Sequence, residues 1–417
     1  MFNSFKSIPF YCYLMTMAAT IIIVGVEWDI SWHSSIGRDT FWSPPHMAIY
    51  FGGILAGLTS SYIVLSNTFL NNDTKPTVTF WGFKGPMSCW ITIWGAIAML
   101  TSAPFDDWWH NAYGLDVQIL SPPHVVLSLG IAAIIFGSVL SILSEKNKIK
   151  HKNLSGYNIL YIYTSSLLIL MVSILLTEDS FLNKQHTIQF YQKSLVLLPV
   201  FLFALFTPSK YKWTFTSIAF FYMMHRMILI WVLPFFDAEP MLTPIKRHID
   251  YFVVPPFPLL LIIPGICIDY IRLQTKNINF WVKNLYYGLI FSISFFIVHW
   301  YSSILLLSNF GRNWFFGTGK TIPYFISGNK YVDLASTDGK RYTKVGENYL
   351  DGSGDVVNLI NPESNDYIFW FYDKTSYGDL IIMDPISIQG LLVVTVLCIF
   401  STTIGSLFGK WLSKVKR

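Results

Sequence analysis

Six residues in the first third of this chain have the types and the spacing to hold metal ions. Asp29, His33 and His46 belong to a stretch that reads Asp29-Ile30-Ser31-Trp32-His33, then Arg38-Asp39-Thr40, then Ser43-Pro44-Pro45-His46. An altered copy, one residue longer, reads Asp106-Asp107-Trp108-Trp109-His110, then Gly114-Leu115-Asp116, then Ser121-Pro122-Pro123-His124. Both copies have a carboxylate four residues before a His that follows a Trp, a Gly four residues after that His, an Asp two further on and a closing Ser-Pro-Pro-His. Four of the nine histidines in the protein occupy matching positions of this repeat. Two imidazoles and a carboxylate per copy make a nitrogen and oxygen donor set for a transition metal, with other coordination positions left to water or dioxygen.

The elements that must position these groups follow from the same spacing. Residues four apart lie on one face of an α-helix, so Asp29 with His33, and Asp106 with His110, each set a carboxylate beside an imidazole. Ser43 and Ser121 suit N-cap positions. The prolines after them fit the first helical turn, where a missing N–H has no intrahelical partner to lose. His46 and His124 then fall in the first turn of a returning helix, at the depth of the first pair. Each motif is therefore expected to close an outward-pointing helical hairpin, and the two hairpins to pack beside each other.

Composition identifies the medium these hairpins stand in. With 417 residues, 53% hydrophobic and only 13% charged, the chain reads as an integral membrane protein whose main partner is the lipid bilayer. Apolar runs near the length a bilayer requires fall at roughly 9–28, 46–69, 86–105, 122–144, 157–177, 194–208, 213–236, 252–273, 285–308 and 386–408. The fold class expected is an all-α polytopic membrane protein of about ten transmembrane helices, with a small extracytoplasmic β-rich domain between the last two. With the N-terminus inside, the inner connections hold sixteen Lys and Arg residues and the short outer ones five. Basic residues are retained on the cytoplasmic side. Both termini are thus expected to be cytoplasmic and both motifs to face outward, in a plasma (inner) membrane. The net charge of +5 follows from this asymmetry and implies no nucleic-acid partner. The first span reads as retained and not as a secretory signal, because no small-residue cleavage site precedes Trp28. Cys12, Cys89, Cys267 and Cys398 each lie in a different run and form no ligand or pairing pattern.

Four regions result: 1–145 with the two motif hairpins, 146–308 with further spans, 309–385 as the β-rich segment, and 386–417 as the final span and basic tail. The segment 309–385 has Gly-rich turns and contains no His or Cys, so it houses no cupredoxin-type copper site. Its Gly317-Thr318-Gly319-Lys320-Thr321 lacks the earlier glycine of a phosphate loop and carries no nucleotide reading. A weaker echo of the motif, His248-Ile249-Asp250 followed by Pro255-Pro256-Phe257, has lost its ligand position.

Blander readings compete with each of these. A lone His near a membrane interface is commonly a hydrogen-bonded structural residue, and Trp32, Trp42, Trp108 and Trp109 fit an aromatic belt. Carboxylates and imidazoles near a bilayer are costly, however, and are kept for ion or proton chemistry. Repetition of the pattern favours metal binding. For His225-Arg226 and for His299 a structural polar contact is the favoured reading, while Asp237, Glu239, His248 and Asp250 lie in an outer segment that is able to approach the motifs.

The first motif, Asp29-x-x-Trp32-His33 through Arg38-Asp39-Thr40 to Ser43-Pro44-x-His46, resembles the copper-ligand signature of the C subunit of the copper membrane monooxygenases, the particulate methane and ammonia monooxygenases. In that family an Asp, a His four residues later and a His thirteen beyond it bind copper, with an Arg-Asp-Thr and a Thr-Pro-x-His in the same places. The second motif is similar to a further copper site of that subunit, where Asn, His and His have the spacing of Asp106, His110 and His124. The resemblance covers approximately residues 10–145, a third of the chain, and departs from the family where Asp106 replaces the Asn. It implies copper as the cofactor, with iron or zinc behind it, and Asp29, His33, His46, Asp106, His110 and His124 as metal-bearing catalytic residues. Asp39, Asp116, Trp32 and Trp109 would orient them or carry protons. It also implies A- and B-type partner subunits, with dioxygen and a small apolar molecule as substrates.

The function expected on these grounds is the metal-bearing subunit of a copper-dependent membrane monooxygenase. A membrane transporter and a copper-storage or delivery protein are the alternatives, since repeated hairpins with ionisable groups serve those tasks as well. The charge asymmetry makes a topology prediction: reporter fusions at Lys150 and at Gly352 should read cytoplasmic and external respectively, and the same side for both would overturn the outward placement of the motifs.

Overall fold

The computed structural model describes residues 5–37, 40–70, 77–113, 121–149, 154–180, 182, 185–239, 241, 251–307, 310, 313–317 and 386–416, together with short strands between 331 and 382. Among the described residues ten α-helices order the chain: α1 Phe10–Ser35, α2 Pro44–Phe69, α3 Met87–Tyr113, α4 Pro122–Lys148, α5 Ser155–Leu175, α6 Ile188–Phe206, α7 Thr214–Val232, α8 Ile262–Gln274, α9 Phe280–Leu307 and α10 Ile388–Leu412. Among the described residues nine of these are long and apolar enough to cross a bilayer, all but α8. Contacts orient them. Tyr11 at the start of α1 donates to Glu145 at the end of α4, Tyr157 at the start of α5 to the Ser7 carbonyl, and Asn147 to the Val415 carbonyl after α10. Residues 5–9 and 413–416 thus lie at one end of the bundle, and the ends of α1 and α3 that carry the motifs lie at the other.

The run expected as a span at 252–273 is corrected to a broken crossing. Pro255, Pro256 and Pro258 remove three backbone donors and hold the chain extended, so helix begins only at Ile262 and lasts 13 residues, about 20 Å. The extended half needs hydrogen-bond partners that lipid cannot supply. Neighbouring helices provide them: Ser31 donates to the Val253 carbonyl (2.6 Å), the Val253 N–H donates to Ser35 (2.8 Å), the Leu259 N–H to the Tyr222 hydroxyl (3.1 Å) and the Leu260 N–H to His299 Nε2 (3.1 Å). His299 is therefore a structural residue. At the other end of this crossing Asp269 accepts from the N–H groups of Phe215 (3.3 Å) and Thr216 (2.8 Å), serving the first turn of α7 from outside it.

The run expected at 194–208 is the helix Ile188–Phe206, which starts a turn and a half earlier. Its polar opening residues find a carboxylate, since Asp179 accepts from Gln189 (3.2 Å) and from Lys193 (2.7 Å). Between α2 and α3 a hairpin of β1 Val78–Phe80 and β2 Phe83–Gly85 turns through Trp81 and Gly82, both at positive φ (48° and 85°), the geometry that suits the twist of a two-residue hairpin. In 309–385 the described residues form antiparallel ladders of short strands, β3 Tyr331–Ala335 to β6 Val356–Val357 and β7 Tyr372–Lys374 with β8 Leu380–Ile382. A large β-rich domain is not established by them.

The two motif hairpins pack side by side. Gly57 of α2 lies against Ala96 of α3, where an added Cβ would stand 3.0 Å from the alanine methyl, and Ser138 of α4 donates to the Met15 carbonyl of α1 (3.1 Å). Within the second hairpin, Gly95 of α3 and Gly130 of α4 face each other so closely that a Cβ on either would stand 2.7 Å from the other's carbonyl oxygen, the small-residue contact that lets membrane helices approach. Across the bundle, Arg226 of α7 donates to Glu27 of α1 (3.1 Å) and to Ser173 of α5 (3.0 Å), with both charged side chains almost fully buried. Breaking one half of such a pair strands the other charge, at a cost of about 3–5 kcal/mol. Arg226→Met should therefore lower the unfolding temperature of the detergent-solubilised chain sharply, and Glu27→Met/Arg226→Met should recover most of the loss; equal unfolding temperatures for the single and double variants would contradict a pairing role.

Candidate metal centre

The helix α1 has 26 residues, about 39 Å against a hydrocarbon core of about 30 Å, so its last two turns reach the interface. These turns carry two polar rows. Glu27, Ser31 and Ser35 recur every four residues and face α7 and the extended crossing. Asp29 continues the opposite row, through Ala18, Ile22 and Gly25, that packs on α2. The start of α2 thus meets Asp29 and His33 across the short loop, and His46 is the third residue of that helix.

The three side chains converge. One ligand atom from each of Asp29, His33 and His46 lies within 4.8 Å of the others. His46 Nε2 is 3.3 Å from Asp29 Oδ1, and His33 Nε2 is 3.7 Å from Asp29 Oδ2. Two donors held about 2.0–2.1 Å from one ion at a tetrahedral angle stand about 3.3–3.4 Å apart, so these separations suit a shared cation after small side-chain adjustment. The tautomer points the same way. His46 Nδ1 lies 3.0 Å from the Thr40 carbonyl, which only accepts, so Nδ1 carries the proton and the lone pair of the neutral ring sits on Nε2. That lone pair faces a carboxylate oxygen. Asp29 Oδ1 is shielded from solvent and accepts no hydrogen bond among the described residues. An imidazole lone pair set against a carboxylate oxygen favours a positive charge between them. His33, with 40% of its side chain exposed against 14% for His46, forms the open side of the site.

The second motif repeats part of this. His124 Nε2 is 3.5 Å from Asp106 Oδ1 across the ends of α3 and α4. The side chain of His110 lies outside the described residues, as do Asp39, Asp116, His248 and Asp250. Ser121 caps α4 as expected, accepting from the His124 N–H at 3.4 Å, with Pro122 and Pro123 opening the helix. Ser43 corrects the expectation for the first motif: it stands at the N-cap of α2 with extended backbone, but its buried hydroxyl makes no capping bond. Trp32 packs on Phe252 at 5.9 Å between ring centres, and Trp109 on Tyr113 at 4.5 Å, so each ring braces the backbone around a motif. The segment that follows α7 approaches α1, with the Met241 N–H donating to the Ile36 carbonyl (2.8 Å) and Asp237 bridging to Tyr251.

Other polar residues sort themselves by partner. Arg226 belongs to the ion pair with Glu27, a carboxylate that sequence reading passed over although an acidic residue inside an apolar run is a visible signal. His186, between α5 and α6, is wholly buried against Trp300 and beside Ser303, and burial pushes its pKa down to about 4, which keeps it neutral. Thr40, whose carbonyl sets the His46 tautomer, left no trace in side-chain chemistry.

The chain matches no protein-family model, no curated protein and no solved structure. The likeness to the monooxygenase C subunit therefore stands on the motif residues and their spacing. The capping difference between the motifs is testable: Ser121→Ala should cost about 1 kcal/mol of stability by thermal unfolding, the usual value of an N-cap side chain, and Ser43→Ala clearly less. Equal losses would show that Ser43 caps after all.

Proposed function

We propose that this chain is the metal-bearing subunit of a copper-dependent membrane monooxygenase, which hydroxylates a small apolar substrate with dioxygen beside the first motif. The observation that carries the proposal is the convergence of Asp29, His33 and His46 on one point, with a shielded carboxylate oxygen facing an imidazole lone pair. Two imidazoles and one carboxylate suit copper, iron or zinc; the family resemblance of the motif selects copper. When bound, copper supplies one-electron redox chemistry toward dioxygen. The residues of this chain hold and tune the site: His33 and His46 give neutral nitrogen donors, Asp29 offsets cationic charge, and the Thr40 carbonyl fixes the ring of His46. Asp106, His110 and His124 are proposed as the second set, with Asp39 and Asp116 orienting ligands or carrying protons. A- and B-type subunits are proposed partners, and a plasma (inner) membrane with the motifs outward is the proposed setting.

Transport is the second reading, favoured by the broken crossing at 251–274, because discontinuous helices line carrier sites. In this chain the freed backbone groups at Val253, Leu259 and Leu260 are already bonded to side chains of neighbouring helices. That occupancy favours a structural role for the break. Stoichiometric redox metal in the purified chain supports the oxygenase reading, whereas metal uptake by proteoliposomes without retained metal supports the carrier.

His33→Ala should abolish metal retention at this site while leaving the unfolding temperature of the metal-free protein nearly unchanged, because the ring stands at the open side of the site with 40% of its side chain exposed. Asp39→Asn should weaken metal affinity by about ten- to a hundredfold without emptying the site. Metal content per chain, with electron paramagnetic resonance to tell copper from iron, decides both. Full occupancy in His33→Ala would overturn the ligand assignment.

A further inference from the structure

At the end of the bundle opposite the metal motifs, a cavity of about 780 Å³ opens between the end of α4, the start of α5 and the α6–α7 connection. Its lining joins apolar side chains, among them Ile149, Ile162 and Phe221, to Lys146, Lys210 and Lys212. No carboxylate lines it among the described residues. Lys146 is the informative member. It is 7% exposed, its ammonium is shielded from solvent and reaches no hydrogen-bond acceptor among the described residues, and it lies over the Tyr161 ring at 5.2 Å from the ring centre. Arg272 and Lys210 stand close enough to repel it. Arg272 adds a buried guanidinium nitrogen, Nη1, with no acceptor of its own.

Among the described residues the carboxylates near this end are committed elsewhere. Glu145 is held by Tyr11 (3.0 Å) and Lys148 (2.8 Å), and Asp269 by the first turn of α7. A buried ammonium without an anion is strongly disfavoured, so the charge balance here is incomplete among the described residues. The cavity also lies where α4 ends and α5 and α7 begin, the level at which lipid headgroups meet a spanning bundle. Lys212 packs its ammonium over Trp213 at 5.1 Å, the cation and aromatic pairing common at that level.

We propose that this cavity binds a phosphate-bearing anion, namely the headgroup of an acidic phospholipid, with Lys146, Lys210 and Lys212 receiving the phosphate and Ile149, Ile162 and Phe221 the upper acyl chain. Basic pockets between membrane helices recognise lipid headgroups in this manner. The proposal is independent of the metal centre, which lies at the other end of the bundle.

The test uses the full chain in a neutral detergent, with native mass spectrometry and thermal unfolding as readouts, and three probes: phosphatidylglycerol, phosphatidylcholine and inorganic phosphate. The wild type should retain phosphatidylglycerol in preference to phosphatidylcholine and unfold at higher temperature in its presence. Lys210→Gln/Lys212→Gln, which alters no buried charge, should lose about fivefold in that affinity for each charge removed. Lys6→Gln/Lys84→Gln, an equal charge change away from the cavity, should lose nothing. Lys146→Met should abolish the preference if it folds; the first double variant carries the test if it does not. Stabilisation by inorganic phosphate equal to that by phosphatidylglycerol would overturn the lipid assignment and leave a soluble phosphate as ligand. Equal retention of the two lipids, or equal losses in the two double variants, would overturn the site.

Discussion

Lipid offers no hydrogen bonds, and that constraint shapes this chain more than any single contact. Every backbone group inside the bundle must be satisfied by another part of the protein. Regular helices meet the demand by themselves. Where Pro255, Pro256 and Pro258 prevent a helix, Ser31, Ser35, Tyr222 and His299 supply the missing partners from three different helices. Where charge enters the core, Glu27 and Arg226 arrive together.

The same demand positions the candidate metal centre. Successive residues of an α-helix turn by about 100°, so Glu27 and Asp29, two positions apart, project to nearly opposite faces of α1. Glu27, Ser31 and Ser35 are bound on one face by Arg226 and the extended crossing, and this fixes the rotation of α1 about its axis. With that rotation set, Asp29 and His33 have no direction left but toward α2, where the Ser-Pro-Pro start of the helix delivers His46. The polar row on the far side of the helix thus does the orienting, and the metal-type row receives its geometry from it.

Much of this was legible in the sequence because it depends on local period. Spacings of four residues, prolines in a first turn and apolar runs of bilayer length translate directly into α1, α2 and the joined Asp29, His33 and His46. What was not legible depends on partners remote in the chain. The run at 252–273 looked like a span by hydropathy, and its break was written in the prolines, but the rescue of its backbone by residues some 200 positions away was not. The role of Glu27 required Arg226, 199 residues on. Ser43 and Ser121 share a motif and yet only Ser121 caps its helix, since a hydroxyl rotamer follows its packing and not its sequence context.

The central claim is that a cation belongs between the Asp29 carboxylate and the imidazoles of His33 and His46. X-ray absorption on the purified chain, loaded with copper and freed of loosely held metal, reads that environment directly. The account predicts one tightly held copper for the first motif, with imidazole scattering from two histidines at about 2.0–2.1 Å that falls by one when His46 is replaced by Ala. Absence of retained metal, or an imidazole count unaffected by the loss of His46, would contradict it.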